Sequence, residues 1–468
     1  ISRVVEADRA HIWHHLSQHK PYETTDPRII VEGRGMRVWD QKGKEHLDAV
    51  SGGVWTVNVG YGRESIANAV RDQLIKLNYF AGSAGSIPGS HFAEKLLDKM
   101  PGLDRVYYCN SGSEANEKAF KMVRQIAHKR YGGKKHKILY RDRDYHGTTI
   151  GCLSAGGQDE RNAQYGPFAP GFVRVPHCLE YRAFEQDGAP QENYGTWAAD
   201  QIEKVILAEG PETVGALCLE PVTAGGGVIT PPEGYWERVQ EICRKYDILL
   251  HIDEVVCGVG RTGTWFGYQQ YGVQPDMVTM AKGVASGYAA IACLVTTDAV
   301  FDMFKDDASD PLNYFRDIST FGGCTAGPTA GIENMRIIED EGLLENTTKM
   351  GHYMLEQLHG LADKHKIIGD VRGKGLLTAF EFVSDRETMA PLPPALEAHF
   401  RLVELAYERG LIIYSRRTRG GTAGDHFLVA PPLIITRPQI DEMMTLLRDA
   451  LDAFAAEAGL PLYEGLSA

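Results

Sequence analysis

The order of apolar and polar segments predicts an α/β fold: a doubly wound, mostly parallel sheet with a second, smaller lobe. Three observations predict it. Five apolar runs of strand length recur through residues 105–280, and each ends in a polar cluster. The runs are apolar at consecutive positions, as in strands covered on both faces. The stretches between them carry apolar residues at helical spacing.

Residues 105–109 lead into Asn110, Ser111, Gly112, Ser113 and Glu114. The run 137–140 leads to Tyr145-His146-Gly147, and 214–219 leads to Glu220-Pro221. Residues 248–252 end at Asp253-Glu254, and 276–280 end at Ala281-Lys282-Gly283. Ala115, Ala119, Met122, Val123 and Ile126 share one helical face, as do Ile202, Val205 and Ile206. Alternation of strand and helix builds βαβ units, whose ligands bind at the carboxyl ends of the strands. All five clusters sit at that end, so they can meet at one site. Further on, Ile332, Met335 and Ile338 predict a helix over 330–345. A strand over 376–382 follows, then a break at Pro391, Pro393 and Pro394. A helix around 396–409, a strand over 410–414 and a closing helix over 437–456 complete a C-terminal lobe, which the N-terminal segment is expected to join.

The chain has 468 residues with 62 acidic and 49 basic side chains, a net charge of -13. Such an acidic chain with no basic run is a poor partner for nucleic acid or an anionic membrane. No apolar stretch reaches the roughly 18 residues of a spanning helix. Eight scattered cysteines form no CxxC pair. That argues against a zinc ribbon or disulfide framework and for a reducing, cytoplasmic setting. The start at Ile1, without Met, reads as trimmed. The 51 glycines concentrate in strand-end turns, where backbone is expected to approach a ligand.

Several patterns have rival readings. Ser111-Gly112-Ser113-Glu114 matches a helix capping box. It also fits an anion site, because a helix N-terminus presents free N–H groups and a positive dipole end. The run ending at Asp253-Glu254 resembles the metal-binding strand of a nucleotide triphosphatase, but the required G-x-x-x-x-G-K-[ST] loop is absent. Neighbours in a strand face opposite ways, so only one of these two acids can face a given ligand. Gly258-Val-Gly-Arg-Thr-Gly263 fits the dinucleotide pattern, yet no helix pattern follows it, which argues against an oxidoreductase. Lys282 follows a buried run and is flanked by small residues. A desolvated lysine has a lowered pKa and can attack carbonyls. His11, His14, His15 and His19 include two i,i+4 pairs that suit a metal. No third ligand is evident, so an ordinary N-terminal helix and no metal are expected.

A phosphate cup, a buried aspartate, a buried lysine and an aromatic on strand ends are the parts that pyridoxal 5′-phosphate requires. Its phosphate needs the helix N-terminus and its aldehyde a lysine. Its ring nitrogen needs a carboxylate, and its ring face a stacking partner.

At these residues the chain resembles the class III (ω-type) aminotransferases of fold type I. The motifs that carry the resemblance are Asn58-Val-Gly-Tyr-Gly62, Asn110 to Asn116, Tyr145-His-Gly147, Glu220-Pro221, Asp253-Glu-Val255 with Gly258 to Gly263, Ala281-Lys-Gly283 and Ala430-Pro-Pro432. The resemblance implies a large cofactor-binding domain over 61–328 and a small domain over 329–468, with 1–60 packing on the small one. It implies Lys282 as the Schiff-base lysine, Asp253 on the pyridine nitrogen, and Tyr145 and Val255 on the two ring faces. Ser111, Gly112 and Ser113 would hold the phosphate, with His146 and Glu220 also at the cofactor. The family also uses a partner-subunit threonine. Here Thr320-Phe321-Gly-Gly323 matches, although Cys324-Thr325 departs from the pattern, and Gly323 takes the threonine position in an alternative alignment. Thr320 implies a homodimer, or a dimer of such dimers, with shared sites.

Trp55 aligns with a pocket-lining aromatic, and residues 81–86 are small where relatives carry bulky aromatics. Tyr414 stands where the family's carboxylate-clamping arginine is usual, so Arg416, Arg417 and Arg419 are the candidate clamps. The stretch from Arg316 to Thr325 and the arginine-rich insert look most like the taurine–pyruvate branch. That implies taurine, with hypotaurine or β-alanine alongside, as donor and pyruvate as acceptor. The products are sulfoacetaldehyde and alanine, formed by ping-pong kinetics. A β-alanine–pyruvate or broad ω-amine transaminase is the alternative. Farther off stand a decarboxylase or aminomutase on the same fold, and a dinucleotide oxidoreductase.

Overall fold

A computed structural model describes residues 2–306, 309–417 and 424–461. Its centre is a seven-stranded sheet. The strands are β1 (Arg105–Cys109), β2 (Lys137–Arg141), β3 (Phe172–Val175), β4 (Val214–Leu219), β5 (Leu249–Asp253), β6 (Met277–Met280) and β7 (Ala292–Thr296). Their order is β1-β7-β6-β5-β4-β2-β3. All five expected runs are in it. The pairs among β2 to β6 are parallel, whereas β7 runs antiparallel to both β6 and β1. Neither β3 nor β7 was evident in the sequence. Strands β4, β6 and β7 are buried at every position, as a sheet covered on both faces requires.

Helix α1 (Gly112–Tyr131) lies on this sheet through Ala115, Ala119, Met122, Val123 and Ile126, all buried. The one-turn helix α2 (Asp159–Asn162) follows β2. The helix expected over 330–345 spans Ala326–Asp340, and a 22-residue helix, Leu343–Lys364, comes directly after it.

Two four-stranded sheets flank the large one. Ile30–Arg34, Arg37–Asp40 and Glu45–Asp48 make the first, completed by Leu411–Ile412, which pairs parallel with Glu45–Asp48. Ile368–Lys374, Leu377–Phe382, Asp425–Val429 and Tyr414–Arg417 make the second, all antiparallel. The strand expected over 410–414 is therefore two strands in two sheets. Leu411 and Ile412 pair with Leu47 and Asp48, and Tyr414 pairs with Leu428. Ile413, buried between them, is where the chain changes sheets. A period-2 pattern reads the same on both sides of such a switch.

The N-terminal helix ends at His11. His14, His15 and His19 lie beyond it, so the i,i+4 pairs never share a helical face. His14 instead bonds Asp8 at 2.7 Å and donates its backbone N–H to the His19 ring. No cluster of metal-binding side chains occurs among the described residues. Among these residues no helix is long and apolar enough to cross a membrane.

The Gly258–Gly263 stretch forms turns rather than a strand-to-helix crossing. Its Arg261 is fully buried. The guanidinium donates to the carbonyls of Leu376 and Pro431, to Ser51 Oγ and to Asn58 Oδ1. One side chain thus ties the large sheet's loops to N- and C-terminal segments. Its crowded glycines face protein rather than ligand: a Cβ on Gly263 would overlap Thr348 Oγ1 at 2.5 Å.

Candidate active site

A cavity of about 740 Å³ opens at the carboxyl ends of the strands. Ser111, Gly112, Ser113, Tyr145, His146, Glu220, Asp253, Val255 and Lys282 all line it, as do Trp55 and Arg416. Five polar turns spread over more than 100 residues of chain converge there because the parallel strands all end on the same edge.

Ser111 caps α1, its Oγ accepting from Glu114 N at 3.1 Å. The Glu114 carboxylate accepts from Asn110 N at 2.7 Å. The capping reading is therefore correct, and it leaves the anion reading intact. The amides of Gly112 and Ser113 precede the first intrahelical bonds and find no acceptor among the described residues. Gly112 is required here, since a Cβ would press on Val255 Cγ2 at 2.9 Å.

Asp253, at the end of β5, is 2% exposed. Its Oδ2 accepts from His146 Nδ1 at 2.7 Å and from Asn116 Nδ2 at 2.8 Å, and its Oδ1 from Val255 N at 3.0 Å. Burial pushes its pKa up, but these bonds and the imidazole beside it outweigh that and leave it below the usual carboxylate range. Asp253 therefore stays ionised. His146 is reached through Asp253, and Asn116, on the second turn of α1, holds the same oxygen. Glu254 points the other way and accepts from the amides of Gly267 and Tyr268 at 2.8 and 2.7 Å. The alternation of a strand has divided the two acids as expected.

Glu220 accepts from Tyr145 N at 3.0 Å and from Ala224 N at 3.1 Å. Burial, with Asp144 and Asp253 nearby, holds it well above the ordinary carboxylate range. Lys282 stands just beyond β6 with φ of +41°, a strained conformation for a residue with a side chain. Its ammonium makes no hydrogen bond or ion pair among the described residues. Burial lowers its pKa, and Asp253 and Glu220 offset this only in part. Gly283 beside it has no room for a Cβ, which would collide with the Asn58 amide.

The remaining expectations divide. Trp55 packs edge-on against Tyr414, ring centres 5.3 Å apart. Arg416 and Tyr414 face the cavity from strand Tyr414–Arg417, but Arg416 is ion-paired to Glu160 and bonded to Gln158 Oε1 at 2.8 Å. Arg417 does not line the cavity: the strand turns it away, and it bonds Asp425 Oδ1 at 2.8 Å. Arg419 lies outside the described residues. Thr320 and Phe321 are exposed and do not line this chain's own cavity. Thr325 is buried instead, donating to the carbonyls of Leu77 and Asn78. Residues 81–86 also stay outside the cavity, and Ser86 caps the helix Ile87–Leu97. Gln158 and Arg161 line the cavity from segments without a motif, and His15, read in sequence only as part of a histidine cluster, lines it as well. Asn116 lay inside a recognised motif, but nothing in the spacing linked it to Asp253.

The residues present fit pyridoxal phosphate. An unpaired, half-buried lysine, an ionised carboxylate fixed by three donors and two unsatisfied helix amides are what its aldehyde, ring nitrogen and phosphate need. Comparison with known proteins agrees. The family model "Aminotransferase class-III" matches residues 19–451. The hypotaurine/taurine–pyruvate aminotransferase of Paracoccus denitrificans is 66% identical over 452 residues, 96% of this chain and 97% of that protein. The taurine–pyruvate aminotransferase of Rhodobacter capsulatus is 61% identical over 453 residues, 97% of each. Among solved structures, a Bacillus anthracis aminotransferase superposes with a TM-score of 0.90 at 37% identity, covering 97% of this chain and 98% of that one. The ω-transaminase of Pseudomonas jessenii in complex with PMP gives 0.90 at 33%, covering 97% and 99%. The chain belongs to the class III aminotransferases, and it is a pyridoxal-phosphate-dependent enzyme of that fold.

Proposed function

We propose that this enzyme moves the amino group of taurine to pyruvate, giving sulfoacetaldehyde and L-alanine in two alternating half-reactions. The observation that carries the substrate assignment is the near-full-length match to two relatives named for this reaction. The cavity's chemistry supports it: two arginines and a lysine line a space that must take a sulfonate or carboxylate and an amine.

Pyridoxal phosphate, when bound, supplies the electron sink that accepts the pair left by the departing proton. Lys282 would hold its aldehyde carbon, Asp253 its ring nitrogen, and the amides of Gly112 and Ser113 with the Ser111 and Ser113 hydroxyls its phosphate. Tyr145 and Val255 would flank the ring. Burial favours the unprotonated form of Lys282, whose Nζ takes the proton from the substrate carbon that bears nitrogen. In the reverse half-reaction the same Nζ delivers a proton to C2 of pyruvate. Asp253 stays ionised throughout and favours the protonated ring nitrogen. Glu220 holds the backbone of Tyr145 and thereby orients its ring.

The assembly we propose is a homodimer whose partner contributes Thr320 to each site. The exposed apolar residues Ile75, Phe80, Ile318 and Phe321 support this, since Phe321 at 67% exposure is costly to leave in water. Residues 79 and 324 form a β-bridge, which brings together the segments that carry Phe80 and Phe321.

Alanine formation from pyruvate tests the substrate assignment, with taurine compared against β-alanine and a simple arylalkyl amine. Taurine should give the highest kcat/KM. Equal rates on all three mean a broad ω-amine transaminase, and a β-alanine preference means the carboxylate donor is the true one.

A further inference from the structure

Three cationic side chains other than histidine line the cavity: Lys282, Arg161 and Arg416. They differ in what already neutralises them. Arg416 is 8% exposed and is held by Glu160 and Gln158. Arg161, the next residue after Glu160 on α2, has no carboxylate within ion-pair distance among the described residues. One guanidinium nitrogen donates to Tyr414 Oη at 3.1 Å. The guanidinium carbon lies 5.8 Å from the centre of the Tyr145 ring. Its Nε is buried with no acceptor at all. The Tyr145 ring face attracts the cation, but a buried donor with no acceptor is an unfavourable resting arrangement that an anion would complete.

We infer that Arg161 is the specificity-determining residue that reads the anionic head group of the amine donor. Sulfonate and carboxylate both present two coplanar acceptors to a guanidinium fork. Arg161 carries no carboxylate partner among the described residues, whereas one terminal nitrogen of Arg416 is already engaged by both Glu160 and Gln158. Tyr145 ties the position to the cofactor, because the ring proposed to stack there is the one Arg161 overhangs. Tyr414, at the place of the family's usual arginine, orients Arg161 through its hydroxyl. The recognition cation has in effect moved from the C-terminal strand to α2. This inference rests on the proposed use of an acidic ω-amine.

Binding of ethanesulfonate, a sulfonate without an amine, to the holoenzyme measures this directly by calorimetry. Arg161→Met should weaken it about 10- to 100-fold. Arg161→Lys should recover part of the loss, since it keeps the charge without the fork. Arg416→Met should weaken it less. In turnover, the ratio of kcat/KM for taurine to that for an uncharged arylalkyl amine should fall by a similar factor in Arg161→Met. An unchanged ethanesulfonate affinity in that variant overturns the inference. So does an equal loss on both amines, which marks a structural role. A wild-type enzyme that neither binds ethanesulfonate nor uses taurine defeats the taurine assignment instead. Propionate and β-alanine then replace the sulfonates in the same comparison, and an unmoved ratio there overturns Arg161 itself.

Discussion

Replacing Asp253 by Asn exchanges one carboxylate oxygen for an amide at the centre of the site. The carboxylate accepts three hydrogen bonds, two on Oδ2 from His146 and Asn116 and one on Oδ1 from Val255 N. Asn has a single acceptor oxygen, so in either rotamer its NH2 group faces at least one donor. A buried donor left without an acceptor costs about 1–3 kcal/mol, and the unfolding free energy should fall by about that much. The catalytic loss is larger, because the variant has no anion to hold a protonated ring nitrogen. Removing one member of a buried charge pair costs about 3–5 kcal/mol. At about 1.36 kcal/mol per decade this is roughly a 10²- to 10⁴-fold drop in kcat/KM for alanine formation. Denaturant unfolding and steady-state kinetics on the same preparation separate the two effects. A folded, cofactor-loaded Asp253→Asn enzyme with nearly wild-type kcat/KM would show that this carboxylate is not the ring-nitrogen partner.

Four further outcomes follow from the same contacts. Arg261→Leu leaves four buried acceptors without their donor and should lower the unfolding free energy by at least about 3 kcal/mol; a loss near zero in urea denaturation would show that the clamp is dispensable. Glu254 is pushed up to about 8 by burial, against an ordinary 4.5, so between those values the folded state holds a proton that the unfolded chain has released. Stability therefore falls as pH rises from about 4.5 to about 8, by up to about 5 kcal/mol at about 1.36 kcal/mol per unit. Glu254→Gln should flatten that slope in denaturation across the same range, and parallel curves would place the Glu254 pKa at its ordinary value. Arg417→Ala should leave the pyruvate KM nearly unchanged, since Arg417 is bound to Asp425 away from the cavity; a large rise would mean that the strand rotates on binding. Thr320→Ala should leave a dimer by light scattering but weaken retention of the cofactor on dilution, and a monomeric wild-type protein would remove the basis for a shared site.

Much of the site was legible because its parts are local. A helix cap after a buried strand, a lysine among small residues and an acid at a strand end are each written in a few consecutive residues. Period-2 alternation correctly separated Asp253 from Glu254. Contacts made between distant segments left no such trace. Arg261 lies in a glycine pattern that suggests a nucleotide, and only its four acceptors from residues 51, 58, 376 and 431 reveal a structural clamp. Arg416 and Arg417 were equivalent in sequence, and strand alternation at a sheet whose register was unknown decided which one faces the cavity.

The sequence by itself determined the doubly wound sheet, the capped helix start at Ser111 and the placing of Asp253 and Lys282 at strand ends. Buried strands, caps and crowded lysines depend on short-range sterics and hydrogen bonding that neighbouring residues already specify. Tertiary structure alone decided the antiparallel β7, the sheet switch at Ile413 and the ion pairing of the cavity's arginines. Glu160 neutralises Arg416 and leaves Arg161 free across 256 residues of chain. Pairings at that separation depend on where whole elements come to rest, and no local pattern encodes that.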